Sequence, residues 1–186
     1  MLTARSSFEA HLYMDLHPCA CGSGDFDRRH RLEQRGDDMV AVYEGACRQC
    51  GTTRRFDFRM AEEIPPPPPA FGGSQPSQII DPGEFLEVAF RIAESTGLRL
   101  LNTPESEHRD LRDAVAYCVA AYEEVLKFIP PGQDAVPADA FTSEAGTALY
   151  RRDPGKFARD LLEMNVKNAR AILADIDEVS PPHTPQ

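Results

Sequence analysis

Apolar residues recur along this chain with two different periods, and the change from one to the other falls near a run of prolines. Up to about residue 60 the period is two, the signature of half-buried strands. Phe26, Arg28, His30 and Leu32 share one face of a predicted strand over 26–32. Gln34-Arg35-Gly36-Asp37-Asp38 has turn chemistry, and Met39-Val40-Ala41-Val42-Tyr43 follows as a second strand. Phe56, Phe58 and Met60 alternate with Asp57 and Arg59 and predict a third. Upstream, Ala10, Leu12, Met14 and Leu16 alternate with His11, Tyr13, Asp15 and His17, so a fourth strand is expected there.

Beyond residue 77 the period becomes about 3.6. Asp81-Pro82-Gly83-Glu84 is a helix start, with aspartate as N-cap, proline at the first helical position and glutamate at the third. Phe85, Leu86, Ala89, Ile92 and Ala93 then form an apolar stripe, and Gly97 offers a stop. Thr103-Pro104-Glu105 predicts a second start. The stripe behind it is Leu111, Ala114, Val115, Cys118, Ala121, Tyr122, Val125, Leu126 and Ile129, closed by Pro130-Pro131. A shorter helix is expected over 141–150. Asp153-Pro154 opens a last one carrying Phe157, Leu161, Leu162, Ala169, Ile172, Leu173 and Ile176. Four amphipathic helices on short capped turns predict a small bundle.

Between the two regions lie five consecutive prolines, Pro65 to Pro69. Such a run favours polyproline II, a stiff spacer of about 3.1 Å per residue. The fold class expected is therefore α+β: an antiparallel N-terminal module over 1–64, a linker over 65–76 in which Phe71 is a candidate docking residue, a helical bundle over 77–180, and a disordered tail over 181–186.

Four cysteines change the picture of the first region. Cys19-Ala20-Cys21 and Cys47-Arg48-Gln49-Cys50 form two close pairs, each followed at once by a glycine, Gly22 and Gly51. Four thiolates suit a tetrahedral divalent ion, and twenty-five residues between the pairs are enough for one hairpin to bring them together. Closed four-sulfur sites are structural, whereas catalytic zinc keeps an open position. Residues 10–60, read as knuckle, hairpin, knuckle and strand, resemble a zinc ribbon. That resemblance implies Zn2+ held by Cys19, Cys21, Cys47 and Cys50. Ribbons have two residues between the paired cysteines where the first pair here has one, so His17 stands as an alternative ligand. Disulfides are the competing use of the cysteines, but residues 1–16 lack the apolar stretch of a signal peptide. The fifth cysteine, Cys118, sits in a helical stripe and reads as a core residue.

Charge is unevenly divided within the formal net of −10. Residues 1–64 carry 9 arginines and no lysine against 11 acids; residues 65–186 carry 11 basic against 19 acidic side chains. An acidic helical region opposes binding to phosphate backbones and favours a basic protein partner. The first region does hold an arginine cluster, Arg28, Arg29, Arg31, Arg35, Arg54, Arg55 and Arg59, interleaved with Phe26, Phe56 and Phe58. Arg28, Arg29, Arg54 and Arg55 are its candidate contacts to nucleic acid or to a partner. Asp25, Asp27, Asp37, Asp38 and Asp57 lie in the same strands, and cross-strand arginine–aspartate pairing is the favoured reading.

No catalytic set is complete. His108-Arg109-Asp110-Leu111 matches the start of a kinase catalytic loop, but Val115 stands where asparagine is required and no glycine-rich loop precedes it. Glu105 and His108 form half of a di-iron motif that no other histidine completes. Glu123-Glu124 and Asp175 to Glu178 read as solvated helix faces. The expectation is a non-enzymatic, cytoplasmic, bacterial zinc-binding protein acting through protein–protein contact, such as an immunity protein or inhibitor covering a basic toxin. Residues 71–90 loosely resemble uncharacterised bacterial proteins associated with toxin systems. A nucleic-acid-binding or transcription-associated ribbon is the alternative, and no membrane association is expected, since no apolar run reaches the length of a bilayer span.

Overall fold

A computed structural model of the chain describes residues 1–97 and 107–179. The chain divides into two compact units, Met1–Ile80 and Asp81–Gln186. The helix start expected at Thr103-Pro104-Glu105 and the tail 181–186 lie outside the described residues.

The first unit is a four-stranded sheet with one helix against it. Its elements are β1 (Leu2–Ala4), α1 (Ser7–Leu16), β2 (Arg29–Arg35), β3 (Asp38–Ala46) and β4 (Thr53–Met60). The sheet order is β1-β4-β3-β2; β2–β3 and β3–β4 pair antiparallel, and β1 pairs parallel to β4. The β2–β3 hairpin turns through Gly36-Asp37, with positive φ at Gly36 alone (+64°), as a two-residue type II′ connection requires. Expected strand 26–32 begins later, at Arg29. Residues before it cross the end of β3 instead, where a Cβ on Gly45 would lie 1.7 Å from the Asp27 carbonyl oxygen. Only glycine permits that crossing.

The fourth strand expected over residues 10–16 is a helix, α1. Two causes outweigh the alternation. Ser6 caps the helix by accepting from the Glu9 N–H at 3.1 Å, while the Glu9 carboxylate reaches back to the Arg5 N–H at 2.6 Å, a reciprocal capping arrangement. In addition, Ser7–Leu16 contains no β-branched residue and is rich in Ala, Leu, Met and Glu. Ala10, Tyr13 and Met14 then fall one helical turn apart and pack on Phe58, Tyr43, Phe26 and Ala41 of the sheet. Glu9 is itself fully buried and is held by the Arg5 guanidinium at 2.6 Å.

In the proline-rich segment, Phe71 is fully buried. The Ser6 hydroxyl donates to its carbonyl at 2.6 Å, and Arg5 donates to the Gln75 carbonyl at 2.5 Å. The prolines themselves stay largely exposed.

The second unit is helical: α2 (Pro82–Gly97), α3 (His108–Lys127), α4 (Glu144–Arg152) and α5 (Arg159–Val179), with a 3-10 turn at Pro154–Phe157. Phe85, Leu86 and Ala89 of α2 and Val115, Cys118, Ala121, Tyr122 and Val125 of α3 are buried, as their spacing predicts. Cys118 is the expected core residue: its thiol lies 3.4 Å from the Ala89 carbonyl, and burial pushes it up to about 11. The solvated-face reading fails for Glu124, which is buried and paired with Lys127 at 2.5 Å. Glu123 and Asp177 pair with Arg170 and Arg112. No helix among the described residues is long and apolar enough to cross a membrane.

Asp81 does more than cap α2. One carboxylate oxygen accepts from the N–H groups of Gly83 and Glu84 at 2.9 and 3.0 Å. The other accepts from Thr142 and Ser143 at 3.0 and 2.6 Å, just ahead of α4. Gly83 and Gly146 lie so close that a Cβ on Gly83 would come within 2.4 Å of the Gly146 Cα. Asp81→Ala would strand four backbone donors, and we expect a loss of about 2–4 kcal/mol, measured by urea unfolding of the full chain. Asp81→Asn should recover part of it, since one oxygen still accepts.

Candidate metal centre

Residues 47–52 join β3 to β4, and residues 17–28 join α1 to β2. A bridge between Phe26 and Cys47 sets the two loops side by side, and the Arg48 N–H donates to the Asp25 carbonyl at 3.1 Å. Each cysteine turn closes through the same two hydrogen bonds. In the second turn, Gly51 N–H donates to the Cys47 carbonyl (2.8 Å) and Cys47 N–H to the Thr52 carbonyl (2.9 Å). In the first, Gly22 N–H donates to the Cys19 carbonyl (2.7 Å) and Cys19 N–H to the Ser23 carbonyl (2.9 Å). The shorter Cys-x-Cys spacing thus gives the same turn with one residue removed. Both glycines occupy positive φ, +86° at Gly22 and +75° at Gly51, where a side chain would be strained.

The result is one cluster of four sulfurs. Cys19 Sγ lies 3.6 Å from Cys50 Sγ, Cys21 Sγ lies 3.7 Å from Cys47 Sγ, and all four fall within 4.8 Å of one another. These distances are too long for disulfides, which need about 2.05 Å. They match the edge of a tetrahedron around an ion bonded to sulfur at about 2.3 Å, roughly 3.8 Å. The four cysteines can therefore hold a metal ion such as zinc. His17, the alternative ligand, is not among them: its Nδ1 contacts the Tyr13 carbonyl at 2.8 Å and its ring stacks on Tyr13 at 3.9 Å.

Local dipoles prepare the sulfurs unequally. The Thr52 side chain and backbone N–H bring the Cys50 thiol down to about 6. The N–H groups of Cys50 and Gln49 lower Cys47. At Cys21 the Ser23 N–H favours the thiolate, but the neighbouring Cys50 sulfur, burial and the remaining thiols outweigh it, pushing it up to about 11. Adjacent sulfurs cannot all carry negative charge without a cation between them, and a divalent ion completes their deprotonation.

The arginine cluster is dispersed by the fold. Arg54 is only 7% exposed. Its guanidinium lies 4.6 and 5.0 Å from the ring centroids of Phe26 and Phe56, and it donates to the Gly24 carbonyl (3.3 Å) and to the His17 carbonyl. Those two carbonyls bracket the first cysteine turn, so Arg54 helps to position Cys19 and Cys21 and does not face solvent. The signal for this was present in sequence: Arg54 shares parity with Phe56, Phe58 and Met60, the buried face of β4.

Arg28 pairs with Asp15 of α1. Arg55 pairs with Asp57 at 2.9 Å and Glu44 at 3.5 Å; Arg31 and Arg35 both pair with Glu33, and Arg35 also reaches Asp57 at 2.7 Å. Arg59 lies 3.9 Å from Asp38 and donates to the Thr3 hydroxyl. The cross-strand arginine–aspartate pairing favoured from sequence occurs in Arg35–Asp57 and Arg59–Asp38; the sheet's other arginine pairs are with glutamate or lie within one strand. Arg29 is exposed and lines a shallow groove of about 400 Å³ with Asp27, Arg31, Glu44 and Thr53, in which acids and bases balance.

Compared with protein families, with curated proteins and with solved structures, the chain matches none of them.

Removing Arg54 should loosen the first turn. We expect Arg54→Leu to lose about 2–4 kcal/mol in urea unfolding of the metal-loaded protein, because the buried guanidinium's hydrogen bonds to the two carbonyls and its stacking on Phe26 and Phe56 are lost. Arg54→Lys should recover only part, lacking the planar fork. Arg55→Ala, on exposed ion pairs, should stay within about 0.5 kcal/mol.

Proposed function

We propose that the first unit is a zinc-ribbon-like module in which one Zn2+ ion, held by Cys19, Cys21, Cys47 and Cys50, is structural, and that the protein works without catalysis by binding another protein. The observation that carries this reading is the closed four-sulfur cage: with every coordination position filled by a protein thiolate, no position remains for water or substrate. The sulfur distances and the two matched glycine turns support the choice of a tetrahedral ion. A module of this size has little apolar area to hold it folded, and metal binding then contributes directly to its stability.

The helical unit supports the choice of partner. With 11 basic against 19 acidic side chains it repels polyanions and attracts a basic protein surface. An inhibitor or immunity protein that covers a basic toxin has this charge and needs no cofactor chemistry. The nucleic-acid reading loses ground because Arg54 is buried and Arg28, Arg31, Arg35 and Arg55 are neutralised by neighbouring acids.

Elemental analysis of the purified full chain should find one zinc per chain, and Cys47→Ser should lower that content and make the first unit sensitive to proteolysis. Zinc-free protein that unfolds at the same temperature as the zinc-loaded form would overturn the structural role. For the partner, the zinc-loaded protein should bind a defined basic protein and show no salt-sensitive binding to a DNA duplex or single-stranded RNA. Tight, salt-dependent nucleic-acid binding weakened by Arg29→Glu would favour the alternative.

A further inference from the structure

The sheet of the first unit has two edges of different character. β1 is three residues long, too short to template another strand. β2 is seven residues long and, among the described residues, pairs in unbroken register with β3 on one side only. It has no proline, no bulge and no charge among its helix-side residues; its charges, Arg29, Arg31, Glu33 and Arg35, all lie on the opposite face and are of both signs. Every β2 residue except Glu33 is classed as exposed. On the helix side of the sheet, Leu32 is 56% exposed and the adjacent Met39, opposite Gln34, is 45% exposed.

We propose that this edge pairs with the same edge of a second copy, antiparallel about a two-fold axis at Leu32, joining two four-stranded sheets into one of eight strands. The β2 sequence, Arg29-His30-Arg31-Leu32-Glu33-Gln34-Arg35, argues for that occupant and that register. Facing residues across an antiparallel seam lie on the same side of the sheet, so the axis must pass through a residue position. Centring on Leu32 sets the exposed leucine against Leu32 of the partner subunit. It also sets Arg31 against Glu33 of the partner subunit, and by symmetry the reverse. A centre at Glu33 would oppose the two glutamates and set Arg31 against an arginine. A centre at Arg31 would oppose two arginines and leave Leu32 facing a histidine.

The end position does oppose Arg29 to Arg35 of the partner subunit. Within one chain Arg35 already has Glu33 and Asp57 as partners at 2.5 and 2.7 Å, which offsets that repulsion. Arg31 and Glu33 pair at 2.7 Å within the chain, and both are partly exposed. Such pairs contribute little alone and can be shared with new partners across the seam. The two-fold makes every contact occur twice, which is how a modest edge reaches useful affinity.

Charge exchange tests the register. Sedimentation velocity of the zinc-loaded full chain should show a concentration-dependent dimer. Arg31→Glu alone opposes two acids across the seam, and Glu33→Arg alone opposes two arginines. Each is expected to weaken self-association about tenfold or more. An equimolar mixture of the two variants restores both attractive pairs, so it should dimerise about as well as the unaltered chain. Far-UV circular dichroism and zinc content establish that each variant is folded. A chain that stays monomeric throughout, a dimer indifferent to both variants, or a mixture no tighter than its components would each overturn the proposal. So would pairing of β2 with an added peptide strand while the chain alone remains monomeric.

Discussion

Two turns separated by twenty-five residues must deliver four sulfurs to one point with separations near 3.7 Å, and the first unit is arranged around that requirement. β3 ends at Ala46, one residue before Cys47, and β4 begins at Thr53, so the hairpin geometry fixes the second turn directly. The first turn has no strand on its N-terminal side. It is placed by the end of α1, by the Phe26–Cys47 bridge and by the buried Arg54 guanidinium, which holds the carbonyls of His17 and Gly24. The crossing at Gly45 and the Arg48–Asp25 hydrogen bond serve the same end. These features are individually small, and they converge on keeping the cysteines close enough to share one ion.

Nine arginines in the first 64 residues give an impression of a basic binding surface that the fold removes. On the face of the sheet opposite α1, ion pairs of Arg31, Arg35 and Arg55 with Glu33, Glu44 and Asp57 reach between β2, β3 and β4 around Val40 and Val42. Both valines are fully buried, with Arg31 and Glu33 of β2 and Asp57 and Arg59 of β4 as their register neighbours. Counting charge along the chain could not separate this arrangement from a nucleic-acid footprint. Register could, because it sets acids opposite bases.

What was legible in sequence followed local rules. The Asp81-Pro82-Gly83-Glu84 start, the Gly36-Asp37 turn and the cysteine cluster all rest on short-range geometry, and each lies where its pattern places it, whereas the Asp153-Pro154 start gives a separate 3-10 turn ending at Phe157 and the last helix begins at Arg159. The misread segment is α1, where Ala10, Leu12, Met14 and Leu16 alternate as a strand would, although as a helix they divide between two opposite sides, Ala10 with Met14 and Leu12 with Leu16. The deciding information lay just upstream, in the Ser6-x-x-Glu9 cap. β1 was missed because three residues have no measurable period. The second pair of hydrogen bonds to Asp81, from Thr142 and Ser143, depends on a contact sixty residues away that no local pattern contains.

The two units reach stability by opposite means, and this bears on function. The helical unit buries Phe85, Leu86, Phe157 and Leu162 completely and can afford an acidic exterior, since its core does not depend on surface charge. The first unit has a smaller core around Met14, Tyr43 and Phe58, to which an ion held by the four cysteines would add. On the sheet, Arg31, Arg35 and Arg55 already pair with Glu44, Glu33 and Asp57, and a polyanion would have to compete with those acids. A protein partner drawn by the acidic helices makes no such demand. On the proposed reading, a basic protein surface meets the acidic helices without competing for those ion pairs.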